Sequence, residues 1–227
     1  SVMGATKRLA ESICQALDLR EAGQPPGRAQ SAARESGTRF ATVRFGNVLG
    51  STGSVVPLFG RQLAAGGPLT VTHPEVSRFF MTVREAVELV LEASALSRAA
   101  DTEARGKIFV LDMGEPVLIV DLARQMIRLA GLRPERDIAI RFIGLRPGEK
   151  LHEELFHGSE PPMPTANPAL RLAAPRTADY AVLARSIDDL EDAARNGHED
   201  RVLDLLHRLV PEYGGIPRRR PSAAANS

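Results

Sequence analysis

The apolar pattern of this chain switches repeatedly between helical and strand-like spacing, and that alternation restricts the fold more than any other feature. Met3, Leu9, Ile13, Ala16 and Leu17 recur at helical intervals, so residues 3–17 are expected to form a helix. Residues 40–45 are a β-prone run that ends in a polar loop, Gly46 to Ser54, rich in glycine and hydroxyl groups. A helix over 55–65, closed by Gly66-Gly67, precedes strands around 69–72 and 78–81. Thr82 with Glu85 is a capping box, and Ala86, Val87, Leu89, Val90, Leu91 and Ala93 predict a mostly buried helix after it. A strand at 108–111, a helix from Asp121 to its stop at Gly131, and a strand at 138–143 follow. That last strand runs into a second loop, Gly144 to Lys150, and beyond the proline-rich spacer 160–168 come helices near 187–195 and 199–210. Such an order implies an α/β protein with part of a parallel sheet.

Composition removes several alternatives. With 29 basic and 28 acidic residues among 227, the formal net charge is +1, which leaves no electrostatic footprint for nucleic acid. Cys14 is the single cysteine, so no internal disulfide is possible. His73, His152 and His157 lack ligand spacing such as His-Glu-x-x-His, and no metal site is expected; His152-Glu153-Glu154 reads as a solvated turn. No run approaches the ~20 apolar residues of a membrane-spanning helix, and the start lacks the regions of a signal peptide. Residues 20–37 have loop composition with room for a helical turn at 29–34, and 218–227 reads as a disordered tail. No Gly-x-Gly-x-x-Gly follows a strand and opens a helix, so the phosphate-binding half of any dinucleotide site is expected to lie outside these residues.

Four stretches, taken together, resemble one family. They are Val2-Met3-Gly4-Ala5-Thr6-Lys7-Arg8, the run Val43 to Ser51 (VRFGNVLGS), the run Thr72 to Thr82 (THPEVSRFFMT), and Gly144-Leu145-Arg146-Pro147-Gly148-Glu149-Lys150. Their order is similar to the C-terminal half of the polysaccharide-biosynthesis nucleotide-sugar 4,6-dehydratases, within the extended short-chain dehydrogenase/reductases, from Val2 to about Phe156. The resemblance implies a partial Rossmann-like parallel sheet plus a smaller α/β substrate-binding region, without the N-terminal dinucleotide-binding half. On this basis residues 1–53 end the Rossmann region, 54–156 bind the nucleotide sugar, 157–217 form a helical extension and 218–227 a tail. It implies NAD as cofactor, a substrate like UDP-N-acetylglucosamine, a 4-keto-6-deoxy sugar as product, and a homo-oligomer. Work in the cytoplasm is implied, with attachment to the inner membrane only through segments preceding Ser1. Two alternatives stay open: a nucleotide-sugar epimerase, and a non-catalytic nucleotide-sugar binding fragment.

The residues carry the following chemistry under that resemblance. Met3 and Lys7 share a helix face at the spacing where the superfamily carries its catalytic tyrosine and lysine. A thioether has no proton to trade, so Met3 cannot be an acid or base, and an upstream Asp-Lys pair is expected to take that role. Lys7, Phe45 and Gly46 are expected beside the cofactor. Asn47, at a strand end, is expected to donate to a pyrophosphate oxygen or a sugar hydroxyl. Ser54, Val55, Val56 and Pro57 open a helix whose amides favour anions, and Thr70 and Thr72 match a strand flanking uracil. Arg78 and Arg146 suit the diphosphate because guanidinium offers a planar fork of donors, with Glu149 accepting a ribose hydroxyl or orienting Arg146. Each motif also has a plainer reading: core filler and a solvated charge for Met3 and Lys7, a simple turn for Asn47, and a surface ion pair for Arg146 and Glu149.

Overall fold

The computed structural model describes residues 1–23, 38–98, 104–156 and 160–214; the expected helical turn at 29–34, His157 and the tail at 218–227 lie outside them. In chain order the elements are α1 (Val2–Gly23), β1 (Thr42–Arg44), β2 (Asn47–Val48), α2 (Val55–Ala64), β3 (Leu69–Val71), β4 (Ser77–Arg78) and β5 (Phe80–Met81). They continue with α3 (Val83–Arg98), β6 (Ile108–Leu111), β7 (Val117–Leu118), α4 (Ile119–Leu129), β8 (Ile140–Phe142), β9 (Met163–Pro164), β10 (Leu170–Ala173), α5 (Tyr180–Arg195) and α6 (Glu199–Leu209).

The main sheet has the order β1-β6-β10-β9. β1 and β6 are parallel, with Val43 opposite Phe109, while β10 and β9 add antiparallel strands. Ile108, Phe109 and Val110 are all buried, the continuous apolar run expected of a strand covered on both faces. Phe109 packs with Ala93 and Leu172, whereas Ile108 and Val110 pack with Ala173, Leu155 and Phe156. A second core lies between α2, α4 and the parallel pair β3–β8, with Phe59, Leu69, Val71, Val76, Ile119, Ala123, Ile127 and Ile140 among its buried members. A third joins α1 to the last two helices through Ala5, Leu9, Ala16, Leu183, Leu206 and Val210.

Several expectations needed correction. The strand expected at 78–81 is two short strands broken at Phe79, because β4 pairs antiparallel with β7 and β5 pairs parallel with β2. The spacer 160–168 contains β9, whose Pro164 sits on the sheet edge, where a missing N–H costs no ladder bond. Helix α3 is not mostly buried. Leu89, Ala93 and Ser97 face inward at four-residue intervals, but Val83, Val87, Val90 and Leu91 are exposed, since the main sheet covers one stripe only. Within 157–217, β9 and β10 join the main sheet and α5 and α6 fold back onto α1.

Arg44 ties these parts together. Its guanidinium binds Glu11 on α1 at 2.7 and 2.8 Å, Glu160 at 2.5 and 3.2 Å, and the Leu155 carbonyl at 3.1 Å. Burial opposes the charge of Arg44, yet the two carboxylates outweigh that and raise its pKa above the ordinary value. No helix among the described residues is long and apolar enough to cross a membrane.

Candidate functional site

A cleft of about 250 Å³ opens where β3 and β8, running parallel, reach their carboxyl ends. Ligands of open α/β sheets sit at such ends. Asn47, Ser54, Val55, Thr70, Thr72, Arg78, Arg146 and Glu149 all line it, so residues up to 102 positions apart in the chain meet around one space. The apolar lining includes Leu58 and, from the second core, Val76, Phe80 and Ile119. At this volume the cleft lies just under the ~300–1,000 Å³ of small-molecule sites.

Glu149 is the organiser of the second loop. One carboxylate oxygen accepts from Thr72 Oγ1 at 2.9 Å and from Arg78 Nη2 at 3.5 Å, and the other accepts from the Arg146 backbone N–H at 3.0 Å. It therefore fixes the Arg146 backbone and does not pair with the Arg146 side chain. Arg146 is exposed and its guanidinium has no partner among the described residues, which leaves all its donors for a ligand. Arg78 is different. Nη1 donates to the carbonyls of Ser77 and Leu151, and Nη2 to that of Lys150, at 2.7, 3.1 and 2.9 Å. The fork expected to grip a diphosphate is thus engaged in holding the loop, and only Nε is uncommitted.

Ser54 is the N-cap of α2, but its hydroxyl makes no capping bond and is a buried oxygen with no partner. The first-turn amides of Val55 and Val56 have no acceptor within the helix, and the first turn carries no acidic residue. Pro57, placed among the substrate contacts from sequence, does not line the cleft. It occupies the third helical position, where its fixed φ suits the helix and its missing N–H costs no bond. The Thr70 hydroxyl accepts from Gln62 Nε2 at 2.7 Å. Asn47 does not fit the donor role expected of it: Nδ2 donates to the Phe79 carbonyl and to Glu153, both at 3.1 Å.

On α1, Met3 is 67% exposed and Lys7 is exposed on the same face, so neither is core filler. Lys7 has no ionic partner among the described residues. The helix begins at the second loop: a Cβ on Gly148, whose φ is +76°, would lie 3.1 Å from the Cβ of Ser1. Phe45 is half-buried. The close approach that Gly46 permits is made by the protein itself, since a Cβ there would lie 2.6 Å from Phe79 Cβ. Sequence reasoning missed Glu153 and Gln62, which hold Asn47 and Thr70; neither has a signal beyond lying near a motif.

Fold and cleft together define an α/β protein with a crevice at the ends of parallel strands, lined by Arg78, Arg146, Glu149 and the start of α2. Residues 1–173 match the family described as "Polysaccharide biosynthesis protein", and the chain belongs to that family. It is 53% identical over 160 residues to the capsular polysaccharide biosynthesis protein CapD of Staphylococcus aureus, covering 70% of this chain and 23% of that protein. Identity to the probable polysaccharide biosynthesis protein EpsC of Bacillus subtilis is 45% over 209 residues, 92% of this chain and 30% of that one. A UDP-glucose 4-epimerase of Rickettsia typhi is 36% identical over 161 residues, 70% of this chain and 40% of its own length. Among solved structures, Pen from Bacillus thuringiensis matches 62% of this chain and 41% of its own, with a TM-score of 0.51 and 36% identity. The chain thus spans less than half the length of each of these relatives.

Proposed function

We propose that this chain carries the substrate-binding part of an NAD-dependent nucleotide-sugar 4,6-dehydratase acting on a UDP-N-acetylglucosamine-like substrate in surface polysaccharide synthesis. The observation that carries this reading is the convergence of the Asn47 turn, the open N-terminus of α2 and the Arg146 loop on one cleft with uncommitted donors. Arg146, the Ser54 hydroxyl and the Val55 amide hold the diphosphate; Arg78 and Glu149 hold the loop that presents Arg146. The Thr70 and Thr72 strand flanks the uracil. Lys7, exposed and without an ionic partner among the described residues, suits the ribose of a nicotinamide cofactor, with Phe45 and Gly46 alongside. When bound, that cofactor supplies reversible hydride acceptance. Met3 offers no proton, which favours a dehydratase whose acid/base pair lies elsewhere over a tyrosine-dependent epimerase.

Calorimetric titration of the chain with UDP and UDP-N-acetylglucosamine tests the binding half of the proposal. Arg146→Ala is expected to weaken both about ten- to a hundredfold with stability unchanged, the cost of losing charge-assisted bonds to phosphate. Arg78→Ala is expected to lower stability as well, by about 1–3 kcal/mol. For the reaction, the chain is fused to the preceding part of the S. aureus relative and supplied with NAD and the sugar nucleotide. A 4-keto-6-deoxy product supports the dehydratase. UDP-N-acetylgalactosamine instead identifies an epimerase, and binding with neither product identifies a binding module.

A further inference from the structure

Glu153, read from sequence as part of a solvated turn, is instead half-buried beside the cleft. Its Oε2 accepts from Asn47 Nδ2 at 3.1 Å and from the Phe79 backbone N–H at 3.3 Å. Nδ2 of Asn47 donates as well to the Phe79 carbonyl at 3.1 Å. Both amide hydrogens are therefore engaged. Turning the carboxamide over would set its oxygen against a carbonyl and a carboxylate, two acceptors with nothing to donate, so the orientation is fixed. What Asn47 has left for a ligand is Oδ1, an acceptor.

We propose that Glu153 is a positioning residue that holds Asn47 as an acceptor, so that this part of the cleft reads a hydrogen-bond donor on the sugar, a hydroxyl or an acetamido N–H. The inference rests on the UDP-sugar reading above and gives the cleft a direction. Phosphate oxygens carry no donor at neutral pH and are repelled by Oδ1. They belong with Arg146, Ser54 and the Val55 amide, whose free groups are donors. The sugar is thereby drawn toward Asn47 and the diphosphate away from it. Glu153 touches no substrate; it acts through the carboxamide.

The test compares UDP with UDP-N-acetylglucosamine on the full chain by calorimetry, for the wild type, Glu153→Ala and Glu153→Gln. In the wild type the sugar adds affinity over UDP alone. Glu153→Ala is expected to remove about tenfold of that increment, one net hydrogen bond, while leaving UDP affinity unchanged. Glu153→Gln is expected to restore it, because a glutamine carbonyl accepts the same two N–H groups. Equal weakening of UDP and the UDP-sugar, or an intact sugar increment in Glu153→Ala, overturns the proposal. If the wild type binds neither nucleotide, the UDP-sugar reading fails on its own. In that case the side-chain amide resonances of Asn47, assigned by their loss in Asn47→Asp, decide the arrangement. Slow hydrogen exchange in the wild type that becomes fast in Glu153→Ala upholds the lock, and exchange that is the same in both overturns it.

Discussion

Asp18 is a carboxylate at 1% exposure, and it stays ionised because donors from three residues converge on it. Arg39 Nε and Nη2 lie at 2.8 and 3.4 Å, the Phe40 N–H at 3.2 Å and the Gly106 N–H at 3.0 Å. Burial alone would push this carboxyl up, but Arg39 and the two amides outweigh it and hold the pKa below the usual carboxylate range. A depressed folded-state pKa contributes stability above the unfolded value, lost as pH falls through the folded one. Asp18→Asn is therefore expected to cost about 3 kcal/mol at neutral pH, since the amide leaves Arg39 without its counter-charge and turns hydrogens toward other donors. Urea unfolding checks this: the gap between wild type and variant narrows once pH drops below about 4. Side chains of this kind divide what was legible from what was not. Arg146, Glu149 and Ser54 stood out because their types follow strand ends in polar loops. Asp18 and Glu153 did not, because their partners lie 21 to 88 and 74 to 106 positions away and only folding makes them neighbours.

Among the elements, local signals served best where the physics is local. The capping box is formed reciprocally: Glu85 accepts from the Thr82 N–H and hydroxyl at 2.6 and 2.8 Å, and the Glu85 N–H donates to Thr82 Oγ1 at 3.2 Å. How much of α3 is covered is not a local property. The run Val87 to Leu91 is apolar enough to suit a buried helix, but only the stripe through Leu89, Ala93 and Ser97 is buried, with Ala93 packed on the sheet. Short strands were hardest to see. β2, β4, β5 and β7 have two residues each, too few for alternation to register, and their pairing is decided by partners elsewhere. The two sides of α3 give a direct measurement. Leu89→Ala opens a cavity in a closed contact and is expected to destabilise by about 2–4 kcal/mol. Leu91→Lys, on the exposed side at 65%, is expected to shift stability by no more than about 0.5 kcal/mol. Thermal or urea denaturation of the two variants separates them, and a large loss from Leu91→Lys would show that this side is covered when the protein is folded in solution.

For the molecule as a whole, stability and binding are assigned to different places. The cleft borders the core of α2, β3, α4 and β8, and three buried members of that core, Val71, Val76 and Ile119, line it directly. The helices α1, α5 and α6 close a separate core around Leu206, tied to the main sheet by Arg44 between Glu11 and Glu160. The sequence pattern announced α5 and α6 as helices but not their destination, because an amphipathic stripe says that a face is covered and not by what. Leu206→Ala tests the separation. Truncating a side chain at 1% exposure is expected to lower stability by about 2–5 kcal/mol. UDP affinity, measured by calorimetry at a temperature where the variant remains folded, is expected to stay at the wild-type value, since no residue of the Leu206 core lines the cleft. Parallel loss of both would mean that α1 transmits the damage. The route is on hand in the contact between Ser1 and Gly148, through which a shifted helix start would displace the Arg146 loop.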